Sequence, residues 1–227
     1  MKTFLALAVG AALLAPVPAL AGSTEGKWQI KVLGTAVLPD GKISEVRSIL
    51  PALAANPVFA APQTTASDNY VPTVAVEYFF TPNFSLETIC CTTEHHVNGA
   101  GSLAGTRLID NALIVPATFT AKYHLPLGAI KPYVGVGPSL YIVLNSKPGA
   151  TATALGVTRA KLSTSLGVAA QAGVDIALGK SGFGLNLDAK KYWTATTARF
   201  YVGSTEALVT RHKLDPWLLS AGVSYRF

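Results

Sequence analysis

Charge is what this chain has least of. Of its 227 residues only 13% are Asp, Glu, Lys or Arg, against about 25% in an ordinary soluble domain. Half are hydrophobic (50%), which excludes a disordered chain, because disorder needs high net charge and few apolar groups. Long hydrophobic runs are missing too. Past the leader described below, no run reaches the roughly 18 residues that cross a bilayer as a helix. Cysteine is confined to Cys90 and Cys91. Neighbours in a strand point to opposite faces and close no useful loop, so a disulfide framework is excluded. The formal net charge is +6, yet no basic run stands out, and nucleic acid is not an expected partner.

The N-terminus carries the marks of a secretory signal peptide. Lys2 precedes an apolar core over residues 4–14, and Ala19-Leu20-Ala21 forms a small-x-small cleavage site. Pro16 and Pro18 argue against a membrane anchor. The expected organisation is a cleaved signal peptide over residues 1–21 and one all-β domain over 22–227.

What is present after residue 26 is a period of two, the mark of strands with two different faces. Trp28, Ile30 and Val32 alternate with Gln29, Lys31 and Leu33, and Val74, Val76 and Tyr78 alternate with Ala75, Glu77 and Phe79. The same alternation runs through Phe84 to Cys91, Leu113 to His124, Tyr133 to Ile142, Ser165 to Leu178, Phe183 to Lys190 and Trp217 to Phe227. Eight strands result. Short turns at 81–83, 126–130 and 179–182 alternate with long connections at 39–69, 97–111, 145–160 and 194–213. That rhythm predicts an eight-stranded antiparallel up-and-down transmembrane β-barrel, with short periplasmic turns and longer extracellular loops, in the outer membrane of a Gram-negative bacterium. A closed barrel pairs every backbone group and has no edge to expose to lipid.

The polar positions within strands (Lys31, Glu77, Glu87, Lys122, Gln171, Asp175, Asp188, Lys190, Arg226) would be intolerable against lipid and are expected in the lumen. Aromatics such as Trp28, Tyr78, Phe84, Trp193 and Trp217 cluster near strand ends, as interface girdles do. A soluble eight-stranded lipocalin-like barrel is the alternative. Its outer face would be polar, whereas one face of almost every strand here is apolar throughout.

Several segments resemble the outer membrane protein W (OmpW) family. Leu214-Asp215-Pro216-Trp217, running to Ser224-Tyr225-Arg226-Phe227, is similar to the family's C-terminal stretch. Lys131-Pro132-Tyr133-Val134-Gly135-Val136-Gly137 resembles its Arg/Lys-Pro-Tyr-Val-Gly segment, and Ala170-Gln171-Ala172-Gly173-Val174-Asp175 its Ala-Gln-x-Gly-x-Asp strand. Asn83-Phe84-Ser85-Leu86-Glu87 matches a weaker early element. The resemblance implies a passive channel for small hydrophobic molecules, with lateral exit into the bilayer and no cofactor. Its expected partners are outer-membrane lipid and lipopolysaccharide, small hydrophobic solutes, and the outer-membrane insertion machinery. Tyr225 and Phe227 resemble the signal that this machinery reads. Departures from the pattern are a long Ala/Pro-rich first loop, the Cys90-Cys91 pair, and a short Thr/Ala-rich loop after the fifth strand.

Candidate residues follow. Leu33, Val37, Phe79, Ile89, Ile114, Tyr133, Tyr141 and Leu218 are expected to face the lumen and lower the cost of admitting an apolar solute, although narrow barrels also fill their interior with side chains. Pro116 and Pro138 cannot donate to a ladder and mark either a lateral opening or a tolerated kink. Cys90-Cys91-Thr92-Thr93-Glu94-His95-His96 contains metal-ligand types, but alternation sends Cys91 and His95 inward and Cys90 and Glu94 outward, so no metal site is expected. Lipid-modifying catalysis would need a serine beside a histidine. No serine motif accompanies His95, His96, His124 or His212, and the chain is not expected to be an enzyme. Residues 46–59 include an apolar stretch able to pack over the mouth. The alternative role is surface adhesion or reception through the loops, or a purely structural barrel. A lumen plugged by paired Glu77, Glu87, Lys122 and Arg226 would favour that alternative.

Overall fold

The computed structural model describes residues 23–227; the signal peptide read over residues 1–21 lies outside the described residues. Thirteen strands join in one sheet. In chain order they are β1 (Trp28–Leu38), β2 (Lys42–Ile49), β3 (Pro62–Ala66), β4 (Asn69–Phe79), β5 (Phe84–Cys90), β6 (Thr93–Gly101), β7 (Arg107–His124), β8 (Ile130–Pro148), β9 (Arg159–Leu162), β10 (Ser165–Ala177), β11 (Phe183–Val202), β12 (Thr205–Lys213) and β13 (Trp217–Arg226). Two short helices, α1 (Pro51–Ala54) and α2 (Ala150–Ala154), lie in the long connections.

Eight of these strands close the expected antiparallel barrel: β1, β4, β5, β7, β8, β10, β11 and β13. Closure comes from β1, which pairs with β4 (Trp28↔Tyr78) on one side and with β13 (Leu38↔Trp217) on the other. The last residue completes it, since Trp28 and Phe227 exchange backbone bonds of 2.9 and 2.8 Å. Alternation sorts the faces as the period of two requires. Lys31, Leu33 and Thr35 are buried in the interior, while Val32 between them is 55% exposed on the outer wall. Val134, Leu166, Leu187, Leu219 and Val223 join Val32 in an apolar outer belt. The aromatics separate into two levels. Trp28, Tyr78, Phe80, Phe84, Tyr123, Phe183 and Tyr225 ring the short-turn end with edge contacts such as Trp28–Tyr78 at 4.8 Å and Phe84–Tyr123 at 5.0 Å. Tyr70, Trp193 and Trp217 stand on the outer wall at the opposite level.

The long connections differ from the expectation of simple loops. Strands β7, β8 and β11 run for 18, 19 and 20 residues, well beyond the ~9–11 that cross a bilayer. Above the membrane they are joined by β2, β3, β6, β9 and β12, which form a crown. One wall is β2-β12-β11-β9 and the other is β3-β6-β7-β8. Between the walls, side chains replace the ladder. At the β2–β3 seam the Thr64 hydroxyl donates to the Gly41 carbonyl at 2.6 Å and the Gln63 amide to the Ile43 carbonyl at 3.3 Å. At the β8–β9 seam the Ser146 hydroxyl donates to the Ala160 carbonyl at 3.0 Å. Gly41, with φ +70°, lets the first seam close, because a Cβ there would lie 2.4 Å from the Ala66 nitrogen. These strands escaped a reading based on an apolar outer face, since above the bilayer that face becomes polar and the apolar side turns inward.

Candidate functional site

The barrel interior is divided into a charged lower part and an apolar upper part. In the lower part three lysines meet four carboxyl groups. Lys31 lies 2.7 Å from both Glu77 and Glu87, and Lys122 lies 2.9 Å from both. Lys190 bridges Glu87 at 2.9 Å and Asp188 at 2.7 Å. The Tyr133 hydroxyl donates to Asp188 at 2.7 Å, and its ring carries the Lys122 ammonium 3.6 Å from its centroid. Asn186 and Gln29 donate to the fourth carboxyl, Asp175, at 2.9 and 3.1 Å. All these side chains are buried. Such groups persist in a low-dielectric interior only because each charge faces an opposite one. A plug of the kind that would favour the alternative role is therefore present, with a different membership. Arg226 forms no ion pair in it: the guanidinium stacks 3.6 Å over Phe79 and donates to the Gly26 carbonyl at 2.6 Å.

His124 is buried at the bottom of this network. Its Nε2 lies 2.8 Å from the Ser85 hydroxyl and 2.9 Å from Glu77, and its Nδ1 lies 3.9 Å from Asp175. Sequence reasoning missed this Ser–His contact, because the pair is 39 residues apart and meets only through the β5–β7 register. Neither Ser85 nor His124 lines the crown cavity described below.

Above the plug, Val37, Ala75, Ile89, Ile114, Tyr141, Ala169, Tyr192 and Leu218 form an apolar layer. That layer is the floor of a cavity of about 270 Å³ inside the crown. Leu50, Leu53 and Phe59 from the first connection roof it, with Ala152 of α2 and Phe200 of β11 at its sides. Of the stretch 46–59 read as able to pack over the mouth, Leu50, Leu53 and Phe59 line the cavity, whereas Val46 and Val58 are exposed. The eight lumen candidates are all buried in the interior but do not form one path. Val37, Ile114, Tyr141 and Leu218 line the cavity, and Ile89 belongs to its floor. Leu33 sits at the waist, while Phe79 and Tyr133 lie within or below the plug, each about 5 Å from the His124 ring (5.0 and 5.2 Å). The remaining lining residues come from the crown. Their one legible signal was the alternation of Ala198 and Phe200 within a supposed loop.

Two histidines stand in the cavity wall, above the membrane-spanning strands. His95 Nδ1 donates to the Ser67 carbonyl at 2.6 Å, which leaves Nε2 to accept from the Thr93 hydroxyl at 2.9 Å. The Thr64 hydroxyl proton is committed to Gly41, so His212 Nδ1 donates to the Thr64 oxygen at 3.1 Å and Nε2 accepts from Thr210 at 2.7 Å. Both sets of partners accommodate a neutral imidazole. Burial pushes both below the ordinary histidine range. A depressed folded-state pKa gives stability that is whole above the unfolded value of about 6.5 and is lost as pH falls through the folded value. Amide-exchange protection across β6 and β12, corrected for intrinsic rate, is expected to fall between pH 7 and pH 5. A His95→Leu, His212→Leu double variant is expected to flatten that dependence. Cys91 and His95 point inward and Cys90 and Glu94 outward, and no three potential metal ligands converge among the described residues.

The two prolines occupy different settings. Pro138 faces outward, where β7–β8 pairing passes from Thr118↔Ser139 to Ala121↔Val136. The strands still touch there, because a Cβ on Gly137 would lie 1.8 Å from the Phe119 carbonyl oxygen. Pro116 lines the cavity. On its β5–β6 side the ladder stops at Ile89↔Thr118 and resumes at Thr93↔Ile114. Cys90, Cys91 and Thr92 therefore stand unpaired opposite Ala117, Pro116 and Val115. Pairing of β4 with β5 also ends at Val74↔Cys90. Beyond it, the Asn69 amide reaches across to Thr93 Oγ1 at 3.3 Å and to the Glu94 carbonyl at 2.9 Å. The barrel ladder is thus interrupted beside the cavity-lining Pro116.

Comparison with known proteins agrees with this architecture. An uncharacterized outer-membrane protein, y4mB, of Sinorhizobium fredii is 31% identical over 219 residues, covering 92% of this chain and 86% of that one. Outer membrane protein W of Vibrio cholerae is 29% identical, covering 100% of this chain and 99% of its own. The crystal structure of the outer membrane protein OprG from Pseudomonas aeruginosa superposes with a TM-score of 0.76 at 22% identity, over 91% of this chain and 98% of that one. The sequence pattern of the OmpW family matches residues 24–227, and the chain, an outer-membrane β-barrel, belongs to that family.

Proposed function

We propose that this barrel is a passive conduit for small hydrophobic molecules, which are taken up in the crown cavity and released sideways into the bilayer. The observation that carries the reading is an apolar cavity closed below by a charged plug. An apolar solute gains about 25 cal/mol for each Å² it removes from water, so the cavity favours it. The plug opposes axial passage, because separating Lys31 and Lys122 from Glu77 and Glu87 would strand buried charges. The stretch Cys90, Cys91 and Thr92, which makes no ladder pair with β7, lies between Ile89 of the floor and Thr93 of the cavity wall, opposite the cavity-lining Pro116, and offers the alternative route. Pro116 supports it in two ways, by removing a backbone donor and by lining the cavity. Pro138 lines no part of the cavity, and the β7–β8 register runs unbroken past it.

The reading is tested by uptake of a short alkane into cells or proteoliposomes with and without the protein. Ala152 is 3% exposed in the cavity wall, and an Ala152→Phe variant is expected to lower uptake toward the protein-free level while the barrel still folds. Equal uptake with and without the protein would overturn the conduit. The plug also favours the second reading, a surface-binding or structural barrel. Removal of the exposed β11–β12 hairpin tip (203–205) separates the two: surface binding would be lost and uptake kept if the loops serve recognition alone.

A further inference from the structure

We infer that the crown cavity takes a neutral molecule with an apolar body and a single hydrogen-bonding group, and that this group meets the hydroxyl of Tyr141. The inference rests on the conduit reading and narrows its substrate class. Charge is disfavoured by the lining, since none of the side chains bordering the cavity is Asp, Glu, Lys or Arg, and burial disfavours the charged form of both histidines. An ionised carboxylate or ammonium would enter without a counter-charge, at a large desolvation cost.

The polar lining groups are closed among themselves, with one exception. The Thr196 hydroxyl donates to the Ser163 carbonyl at 2.7 Å, the Ser163 oxygen accepts from the Thr197 amide at 2.9 Å, and the Ser165 and Thr194 hydroxyls are 3.2 Å apart. The two histidine-centred sets described above use Thr64, Thr93 and Thr210. Tyr141 alone is left. It is 5% exposed and lines the cavity floor, and its hydroxyl is buried without a partner among the described residues, so a solute group reaches it by displacing a neighbouring aliphatic side chain of the floor. Its ring packs edge-on to Tyr192 at 5.5 Å, yet the Tyr192 hydroxyl already has Thr118 at 3.3 Å. The other members of the Tyr141 cluster are aliphatic.

A buried hydroxyl without a partner is costly, and native interiors seldom keep one without a reason. A carbonyl or hydroxyl on the solute would satisfy it, and a pure alkane would not. The position adds a second reason: Pro116↔Tyr141 is a register pair, so the phenol stands beside the stretch of wall through which the solute would leave. A polar end held there directs the molecule to the lateral route.

The test uses the full refolded barrel in detergent micelles, with binding of 1-octanol, octane and octanoate at pH 8 read by displacement of an apolar fluorophore and corrected for empty micelles. Tyr141→Phe is expected to weaken 1-octanol binding roughly 3- to 10-fold, the span of one net hydrogen bond, with octane unchanged. Tyr192→Phe, whose hydroxyl is already partnered, is expected to leave both unchanged. Octanoate is expected to bind no better than to empty micelles. An unchanged octanol-to-octane ratio in Tyr141→Phe, or octanoate bound as well as octanol, overturns the inference while leaving the conduit intact. Failure of the native barrel to bind either octane or octanol removes both.

Discussion

Replacing Glu87 by alanine is expected to cost the barrel about 3–5 kcal/mol, the range found when one partner of a buried ion network is removed. Glu87 is the hub of the plug. It faces Lys31 at 2.7 Å, Lys122 at 2.9 Å and Lys190 at 2.9 Å, and it accepts from the Gln171 amide at 3.2 Å. Its loss leaves three buried ammoniums to share Glu77, Asp175 and Asp188. Neither lipid outside the wall nor the neighbouring apolar layer supplies a substitute. Glu87→Gln keeps the volume and part of the hydrogen bonding, so its cost is expected to be smaller. Urea titration of the barrel in lipid vesicles, followed by tryptophan fluorescence, measures both. A Glu87→Ala midpoint equal to that of the native protein would mean that the network contributes nothing net, and the argument that the plug resists axial passage would fall with it.

Sealing the wall beside the cavity is expected to abolish release of solute. Cys91 stands opposite Pro116 in the interrupted β5–β7–β6 register. Opposed residues of antiparallel strands have Cα atoms ~4.5–5.5 Å apart, within the ~4.4–6.8 Å that a disulfide spans. In a Pro116→Cys protein with Cys90→Ser, oxidation would join β7 to the unpaired segment. The oxidised barrel is expected to lose at least about tenfold in uptake of a short alkane, and reduction is expected to restore it. The factor is the one given by a barrier raised by ~1.4 kcal/mol, a modest demand on a covalent staple. Replacing Pro116 by itself restores a backbone donor. The reduced protein is the proper reference for that reason. Full uptake in the oxidised form would eliminate this stretch as the exit, and the conduit would need another route.

These two outcomes bear on different halves of one interior. The plug bears on axial passage, and the break at Cys90–Thr92 bears on the proposed lateral route. Both depend on the same device, the in–out alternation of strands. Below the cavity, the inward positions of β1, β4, β5 and β7 carry Lys31, Glu77, Glu87 and Lys122. A few residues further up, the inward positions of the same strands are Val37, Ala75, Ile89 and Ile114.

The sequence by itself determined the strands and their faces, because a period of two is a local property: Val32 turns outward and Leu33 inward whatever stands beside them. It also determined the membrane setting, since the outward positions are apolar and the charges inward, and it determined the family through segments such as Lys131 to Gly137. The structure alone decided which inward residues meet. Glu87 reaches Lys31, Lys122 and Lys190 from 56, 35 and 103 positions away in the chain, and that convergence follows from the stagger of eight closed strands, which no single strand's pattern encodes. The crown was legible only in fragments, because its strands keep the alternation but exchange lipid for water on the outer face. Pro116 and Pro138 looked alike in the sequence, each a missing donor in a strand. Register left one of them facing outward beside Gly137 with the β7–β8 register unbroken, and placed the other, which lines the cavity, opposite Cys91 where the β5–β7–β6 ladder is interrupted.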